Sequence, residues 1–355
     1  MDAQYSDRPR EPLQLTPLTP QDSGERRMLL SVVVPCMNEQ EVLRQTNQNL
    51  VAVLQQAPVN FEIIYVDDGS TDSTPDVLRE LQTQDARIRV VRFSRNFGHQ
   101  VAITAGLEHA SGDAVVIIDA DLQDPPEVIL EFLAKWLDGF DVAYGVRTER
   151  DGETQFKRWT AKFFYRFMSR LSDTRIPLDT GDFRLLDRRV VDSLLSMPER
   201  DRFVRGMVSW LGFSQVAVPY HRASRAAGTT KFSLFKMVRF ALDGIFSFSI
   251  LPLRLATWTG FAASAVAILG IVIVLLERFF QVPGLVKGWS SAVIAELFIG
   301  GVQLICIGII GEYVGRIYGE AKRRPLYIVR ERMGFESRNP VAAMSRQALV
   351  SGGKR

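Results

Sequence analysis

The stretch Val115-Val116-Ile117-Ile118-Asp119-Ala120-Asp121-Leu122-Gln123-Asp124 sets two carboxylates, two residues apart, directly after four β-branched apolar residues. Such a run reads as a strand buried on both faces. Its carboxyl edge is where open α/β sheets bind ligands. Along a straight strand Asp119 and Asp121 point to opposite sides, so a bend is needed for both to reach one hard cation and its attached phosphates. The competing reading is a strand running into an acidic helix N-terminus. That reading is adopted for Asp124, expected to cap a helix that begins at Pro125-Pro126. An Asp-x-Asp pair is a short pattern, and its weight comes from the rest of the chain.

Other strands deliver similar clusters. Residues 29–34 form a first strand stopped by Pro35, after which Cys36-Met37-Asn38-Glu39 turn into a helix running to about Gln55. Residues 61–66 form a second, ending in Asp67-Asp68-Gly69-Ser70-Thr71-Asp72, with a helix after Ser73-Thr74-Pro75. A third, 88–93, ends in Ser94-Arg95-Asn96-Phe97-Gly98 and is followed by a helix through His109. Strands alternating with helices imply a parallel sheet with right-handed crossovers, so these clusters share one edge. At that edge Asp68 can accept hydrogen bonds from a ribose or a base. Gly69, Ser70 and Thr71 fit an ordinary turn and cap equally well, as Asn38 and Glu39 fit a cap and first turn. Their recurrence at successive strand ends favours a ligand site.

Three segments carry a family resemblance: Val32-Val33-Val34-Pro35-Cys36-Met37-Asn38-Glu39, Tyr65-Val66-Asp67-Asp68-Gly69-Ser70-Thr71-Asp72 and Asp119-Ala120-Asp121-Leu122-Gln123-Asp124-Pro125-Pro126. In this order they resemble the signature of family 2 glycosyltransferases with the GT-A fold, and most of all its polyprenyl-phosphate branch of dolichol-phosphate mannose synthases and bactoprenol glucosyltransferases. The resemblance spans roughly residues 29–330. It implies that Pro35, Asn38, Glu39, Val66 and Asp68 hold the nucleotide. It also implies that Asp119 and Asp121, flanking Ala120, bind Mg²⁺ or Mn²⁺ on the diphosphate, and that Gln123 lies beside the sugar.

Further along, Arg147 follows a short strand at 141–146 and can meet a phosphate or be a solvated loop arginine. Residues 157–171 form a basic, aromatic amphipathic helix suited to anionic headgroups. In Asp179-Thr180-Gly181-Asp182-Phe183-Arg184, the resemblance makes Asp182 the acceptor-side carboxylate; a strand or helix cap is the alternative. A lipid monophosphate with a second pKa of about 6 is already ionised at neutral pH, so Asp182 has more to orient than to deprotonate. Arg202 and Arg205 flank a helix that can present both guanidinium groups to phosphate. Arg225 and Lys231, six residues apart across Gly228, resemble the family's flexible loop that closes over the diphosphate and meets the lipid phosphate. A basic stripe beside the bilayer is the alternative. The catalytic set expected is thus Asp121, Asp182, Arg225 and Lys231.

The 355 residues carry a net charge of +3, too small to suggest nucleic acid, and two cysteines that suggest neither a disulfide framework nor a metal knuckle. Residues 1–27 have no apolar run and read as a disordered tail, as do 334–355. The expected organisation is a catalytic domain at 28–231, interfacial amphipathic helices at 232–252, a two-helix transmembrane domain at 253–316 and a cytoplasmic segment at 317–355. Residues 255–276 lack charge and, at about 1.5 Å per residue, are long enough to span. A second span is read at about 290–310, with Glu296 its only charge. Glycines 300, 301, 308, 311 and 315 would let helices approach closely and suggest a homo-oligomer. Basic residues outside the pair of spans put both termini in the cytoplasm of a plasma membrane.

The expectation is therefore an α/β protein with a mixed, mainly parallel sheet, interfacial helices and two transmembrane helices. Its expected reaction is inverting transfer of one hexose, best glucose from UDP-glucose, to undecaprenyl phosphate. GDP-mannose, a UDP-N-acetylhexosamine or a UDP-aminoarabinose are alternative donors. A noncatalytic membrane scaffold is the rival of another class, against which the intact acids argue.

Overall fold

The computed structural model describes residues 28–147, 180–221, 251–280 and 289–335. The expected amphipathic helix at 157–171, the loop with Arg225 and Lys231, nearly all of the interfacial segment 232–252 and both expected tails, save residues 334 and 335, lie outside the described residues.

Strands β1 (Leu29–Cys36), β2 (Asn60–Asp67), β3 (Ile88–Phe93) and β4 (Ala114–Ile117) alternate with helices α1 (Leu43–Leu54), α2 (Thr74–Gln84) and α3 (His99–His109). Helix α4 (Val128–Leu137) leads into β5 (Val142–Arg147). Strand β6 (Thr180–Asp187) is followed by helices α5 (Arg188–Ser196) and α6 (Val204–Trp210) and by strand β7 (Gln215–Tyr220). With β8 (Val329–Met333), the strands form one sheet in the order β7-β5-β6-β4-β1-β2-β3-β8. Pairs β1–β2, β1–β4, β2–β3 and β5–β7 are parallel, whereas β4–β6, β5–β6 and β3–β8 are antiparallel. The sheet is mixed and mainly parallel.

The apolar runs are continuous because both faces are covered. Val32 and Val34 pack with α1, α2 and α4, while Val33 between them packs with α3, α5 and α6. Contact on the second face is close at Gly106 of α3, where an added Cβ would lie 2.1 Å from Val33 Cγ1.

Pro35 does not stop β1, which continues to Cys36 in register with Asp67. The reason is positional. The Val33 carbonyl accepts from Ile118 on the β4 side and the Cys36 carbonyl accepts from Asp68 on the β2 side. Pro35 therefore faces the β4 side beyond the last paired residue of β4, where a missing N–H removes no ladder bond.

After β7 come two long helices, α7 (Leu251–Phe279) and α8 (Trp289–Ala321), which touch where Cys306 Sγ approaches the Ala256 carbonyl at 3.5 Å. Only Phe298–Ala321, 24 residues that contain an 18-residue window of mean hydropathy 1.6, is long and apolar enough to cross a membrane among the described residues. In α7 the apolar stretch among the described residues is Leu255–Gly270, so one candidate span, not two, is present among the described residues. Apolar side chains along both helices are exposed, including Trp258, Phe261, Leu304 and Ile307. An added Cβ at glycines 300, 301, 308, 311 or 315 would meet nothing, so packing against α7 does not use them.

The sequence assigned no element to 317–355, yet β8 lies there and returns to the sheet edge. Tyr327 stacks on Phe93 at 4.7 Å, and Ser94 donates to the Ile328 carbonyl.

Candidate active site

Strand β1 lies between β2 and β4, and the chain winds outward from it in both directions. The crevice above its carboxyl end is the switch point at which open α/β sheets bind ligands.

One wall joins the turns after β1 and β2. Asn38, at φ +57°, donates its backbone N–H to Ser70 Oγ, while its Oδ1 accepts from the Thr71 N–H, both at 2.9 Å. Asparagine tolerates this left-handed conformation better than most residues. The Glu39 N–H donates to Thr74 Oγ1 at 2.9 Å. Pro35 is buried in this wall. Val66, expected beside the nucleotide, turns its side chain into the core under α3, leaving only backbone near the edge. Asp68 accepts from the Phe97 N–H at 2.7 Å and the Gly98 N–H at 3.0 Å, so it anchors the loop after β3. Burial nonetheless pushes its pKa up, against those two hydrogen bonds. A carboxylate has about four acceptor positions, so this anchoring leaves room for a ligand contact.

The opposite wall is the end of β4. The strand stops at Ile117, before the acid pair, and the chain turns just after that pair at Leu122, φ +60°. Asp121 Oδ1 accepts from the Gln123 N–H at 3.2 Å, and the Ala120 carbonyl accepts from Thr46 Oγ1 at 2.8 Å. Burial lifts the Asp119 pKa to about 6; Asp124, Asp182 and Asp121 add to the rise and His99 opposes it. Asp124 is not a helix cap, because α4 begins at Val128 with Glu127 in the cap position. Instead Asp124 accepts a 2.5 Å hydrogen bond from the Tyr220 hydroxyl, which also accepts from Arg147 Nε at 3.3 Å. Arg147 therefore closes the acid cluster and is not a solvated loop residue.

Asp182 sits inside β6, not before a strand. Ile117 pairs with Arg184 as the last pair of the antiparallel β4–β6 ladder, and Asp119 and Asp182 lie two residues beyond it on the two chain segments. Like charges so placed repel. His99 Nε2 lies between them, 3.6 Å from Asp119 and 3.3 Å from Asp182. Asp182 also accepts from Gln100 Nε2 at 2.9 Å and faces Arg205 Nη2 at 3.3 Å. Burial alone would raise the Asp182 pKa, but the His99 hydrogen bond and the fields of Arg205 and Arg184 hold it well below the usual range. Burial likewise works against protonation of His99, yet its bond to Asp182 and the field of Asp119 leave its pKa raised.

Arg205 thus joins the site and Arg202 does not. The Arg202 guanidinium donates to the carbonyls of Glu199, Leu194 and Met197, so it ties down the end of α5. His99, Gln100, Arg184 and Tyr220 were missed in the sequence. His99 and Gln100 follow the polar loop of β3 and could have been found by applying the strand-end rule to that loop. Arg184 is buried beside Asp182, with its Nη2 on the Gly181 carbonyl and its Nε without a partner.

No group of three or more His, Cys, Asp or Glu side chains suited to a metal occurs among the described residues. The Asp119–Asp121 pair still fits a hard cation that keeps oxygen ligands from water and phosphate, since the cluster holds negative charge that such an ion would offset.

Residues 31–195 match the family described as glycosyl transferase family 2. An uncharacterized glycosyltransferase of Bacillus subtilis strain 168 is 50% identical over 313 residues, 88% of this chain and 97% of that one. The bactoprenol glucosyl transferase of Shigella phage SfV is 42% identical over 304 residues, 85% of this chain and 98% of that one. A looser structural likeness links the chain to glucosyl-3-phosphoglycerate synthase from Mycobacterium tuberculosis in complex with Mn²⁺, UDP and glucosyl-3-phosphoglycerate. Its TM-score is 0.43 at 21% identity, covering 62% of this chain and 78% of that one.

Proposed function

The chain belongs to glycosyl transferase family 2, and from that premise we propose that it transfers one glucose from UDP-glucose to a polyprenyl phosphate, undecaprenyl phosphate, with inversion, at the cytoplasmic face of a membrane. The observation that carries this reading is the meeting of Asp119 and Asp182 on His99 above β4 and β6, with the acid pair on one side and the Arg205 cluster on the other. Identity of 42% to a protein named bactoprenol glucosyl transferase supports the choice of sugar and lipid.

Asn38, Glu39 and Asp68 line the nucleotide side, and Gln123 stands next to the acid pair. Asp119 and Asp121 would hold Mg²⁺ or Mn²⁺, which when bound neutralises charge on the departing diphosphate. The lipid phosphate oxygen bonds to the anomeric carbon as the carbon–oxygen bond to UDP breaks, and the electron pair leaves with UDP. No proton has to be removed, because the attacking phosphate is already ionised near neutral pH. Asp182, held ionised, is a weak base and acts by fixing His99, Gln100 and Arg205. Arg205 and His99 then offer positive charge to the incoming phosphate. Arg147 has the same charge near the donor, and Arg225 and Lys231 are proposed to close over both substrates.

Helices α7 and α8 are proposed as two spans with both termini cytoplasmic, and the open glycines of α8 support self-association. The test is to offer labelled UDP-glucose, GDP-mannose, UDP-N-acetylglucosamine and a UDP-aminoarabinose separately with undecaprenyl phosphate to the full chain. Label from UDP-glucose in the organic extract is expected. Label from another donor alone would change the sugar, and label only in insoluble polymer would replace the reading with a polysaccharide synthase.

A further inference from the structure

The last part of α8 is polar where it leaves the apolar stretch, and it abuts the segment that precedes α6. Arg316 Nη1 lies 3.3 Å from Asp201 Oδ2. The Arg200 backbone N–H donates to Glu320 Oε1 at 2.8 Å, and the Arg200 guanidinium donates to the Arg324 carbonyl. Between these contacts remains a cleft of about 290 Å³. Three residues beyond Asp201, the Val204 N–H donates to Gln100 Oε1 at 2.9 Å, and the other end of that amide holds Asp182. The next residue is Arg205, which faces Asp182 itself.

We propose that α8 is a positioning element for the acceptor side of the site: it grips residues 200 and 201, and through them sets Gln100 and Arg205 on Asp182. The inference rests on the transfer proposed above. Energetics decide what kind of role this is. Asp201 is 67% exposed, and an ion pair so open to solvent adds little to stability. Its value lies in geometry, since three contacts hold a short irregular segment whose displacement by a fraction of an ångström moves both partners of Asp182 together. A misplacement of about 1 Å far from the chemistry can cost about 100-fold in rate. Helix α3 is held at its other end by the segment that follows α8, where the Tyr327 hydroxyl donates to Glu108.

The test uses the full chain in lipid nanodiscs and the variants Asp201→Ala/Glu320→Ala, Asp201→Glu and, as a control, Arg44→Ala. The control breaks a surface ion pair remote from the site. Rates and KM for each substrate are measured, together with hydrogen exchange at the Val204 amide. The expected result is a fall in kcat of about tenfold in the double variant, with the donor KM unchanged and Val204 exchange faster. Asp201→Glu should restore most of the rate. Unchanged kcat and exchange would overturn the proposal, as would a loss that Arg44→Ala reproduces. Should the wild type transfer nothing to lipid phosphate, the proposed function fails, while Val204 exchange still decides whether α8 holds this segment.

Discussion

A carboxylate that accepts from a glutamine and a histidine, and faces an arginine, is poorly suited to take a proton. That is the state of Asp182, and it favours an orienting role over that of a general base. The sign of the shift gives a prediction. The folded-state pKa of Asp182 is depressed, so its contribution to stability is present above the unfolded value of about 3.9 and is lost as pH falls below it. Thermal midpoints in detergent should therefore show a smaller loss between about pH 5 and pH 3 for Asp182→Asn than for the wild type. An equal loss would mean that the carboxylate is not held ionised. At this scale the sequence was legible wherever an acid closes an apolar run: Asp68, Asp119 and Asp121 were found that way. His99 escaped because its partners lie after β4 and on β6, far away in sequence, and Arg184 and Tyr220 because their neighbours depend on the antiparallel β4–β6 and the parallel β5–β7 registers, which no local pattern encodes.

Among the elements, the loops are aimed by close backbone contacts. At Gly69, φ is +73°, and an added Cβ would lie 2.3 Å from the Arg95 carbonyl carbon and 2.6 Å from the Asn96 nitrogen. Gly69→Ala should push away the loop that Asp68 anchors, raising the KM for the nucleotide sugar about tenfold or more with the fold retained. Measured steady-state kinetics would check this, and an unchanged KM would remove the loop from the nucleotide wall. Gly106→Ala acts on packing instead. It overfills the α3–β1 contact and should cost about 1–3 kcal/mol, read from denaturant or thermal unfolding. Strands β1 to β4 could be read from the sequence because buried parallel strands are unbroken apolar runs. Strand β6 was half seen, with Asp182 placed ahead of it, since a polar residue within a strand looks like its boundary. Strand β8, Val-Arg-Glu-Arg-Met, gave no warning: its half-exposed edge position allows three consecutive charged residues, Arg330, Glu331 and Arg332.

The whole molecule follows its sheet with two long apolar helices and then returns to that sheet through β8, while the end of α8 is also tied to Asp201 before α6. Composition disclosed the apolar helices, but not that the chain after them completes the sheet. If α7 and α8 form a hairpin across the bilayer, Gly284→Cys in a background without Cys36 and Cys306 should react with an impermeant maleimide from outside intact cells. Reaction only after lysis would place both helices on one side of the membrane. The central claim, that the acid pair after β4 delivers a sugar from its nucleotide to a lipid phosphate, is tested most directly by comparing wild type with Asp121→Asn. Purified protein would receive labelled UDP-glucose, undecaprenyl phosphate and Mn²⁺, and lipid-extractable label would be counted. The account predicts label with the wild type and a loss of at least about 100-fold in the variant at unchanged thermal midpoint. Equal transfer by the two proteins would contradict it.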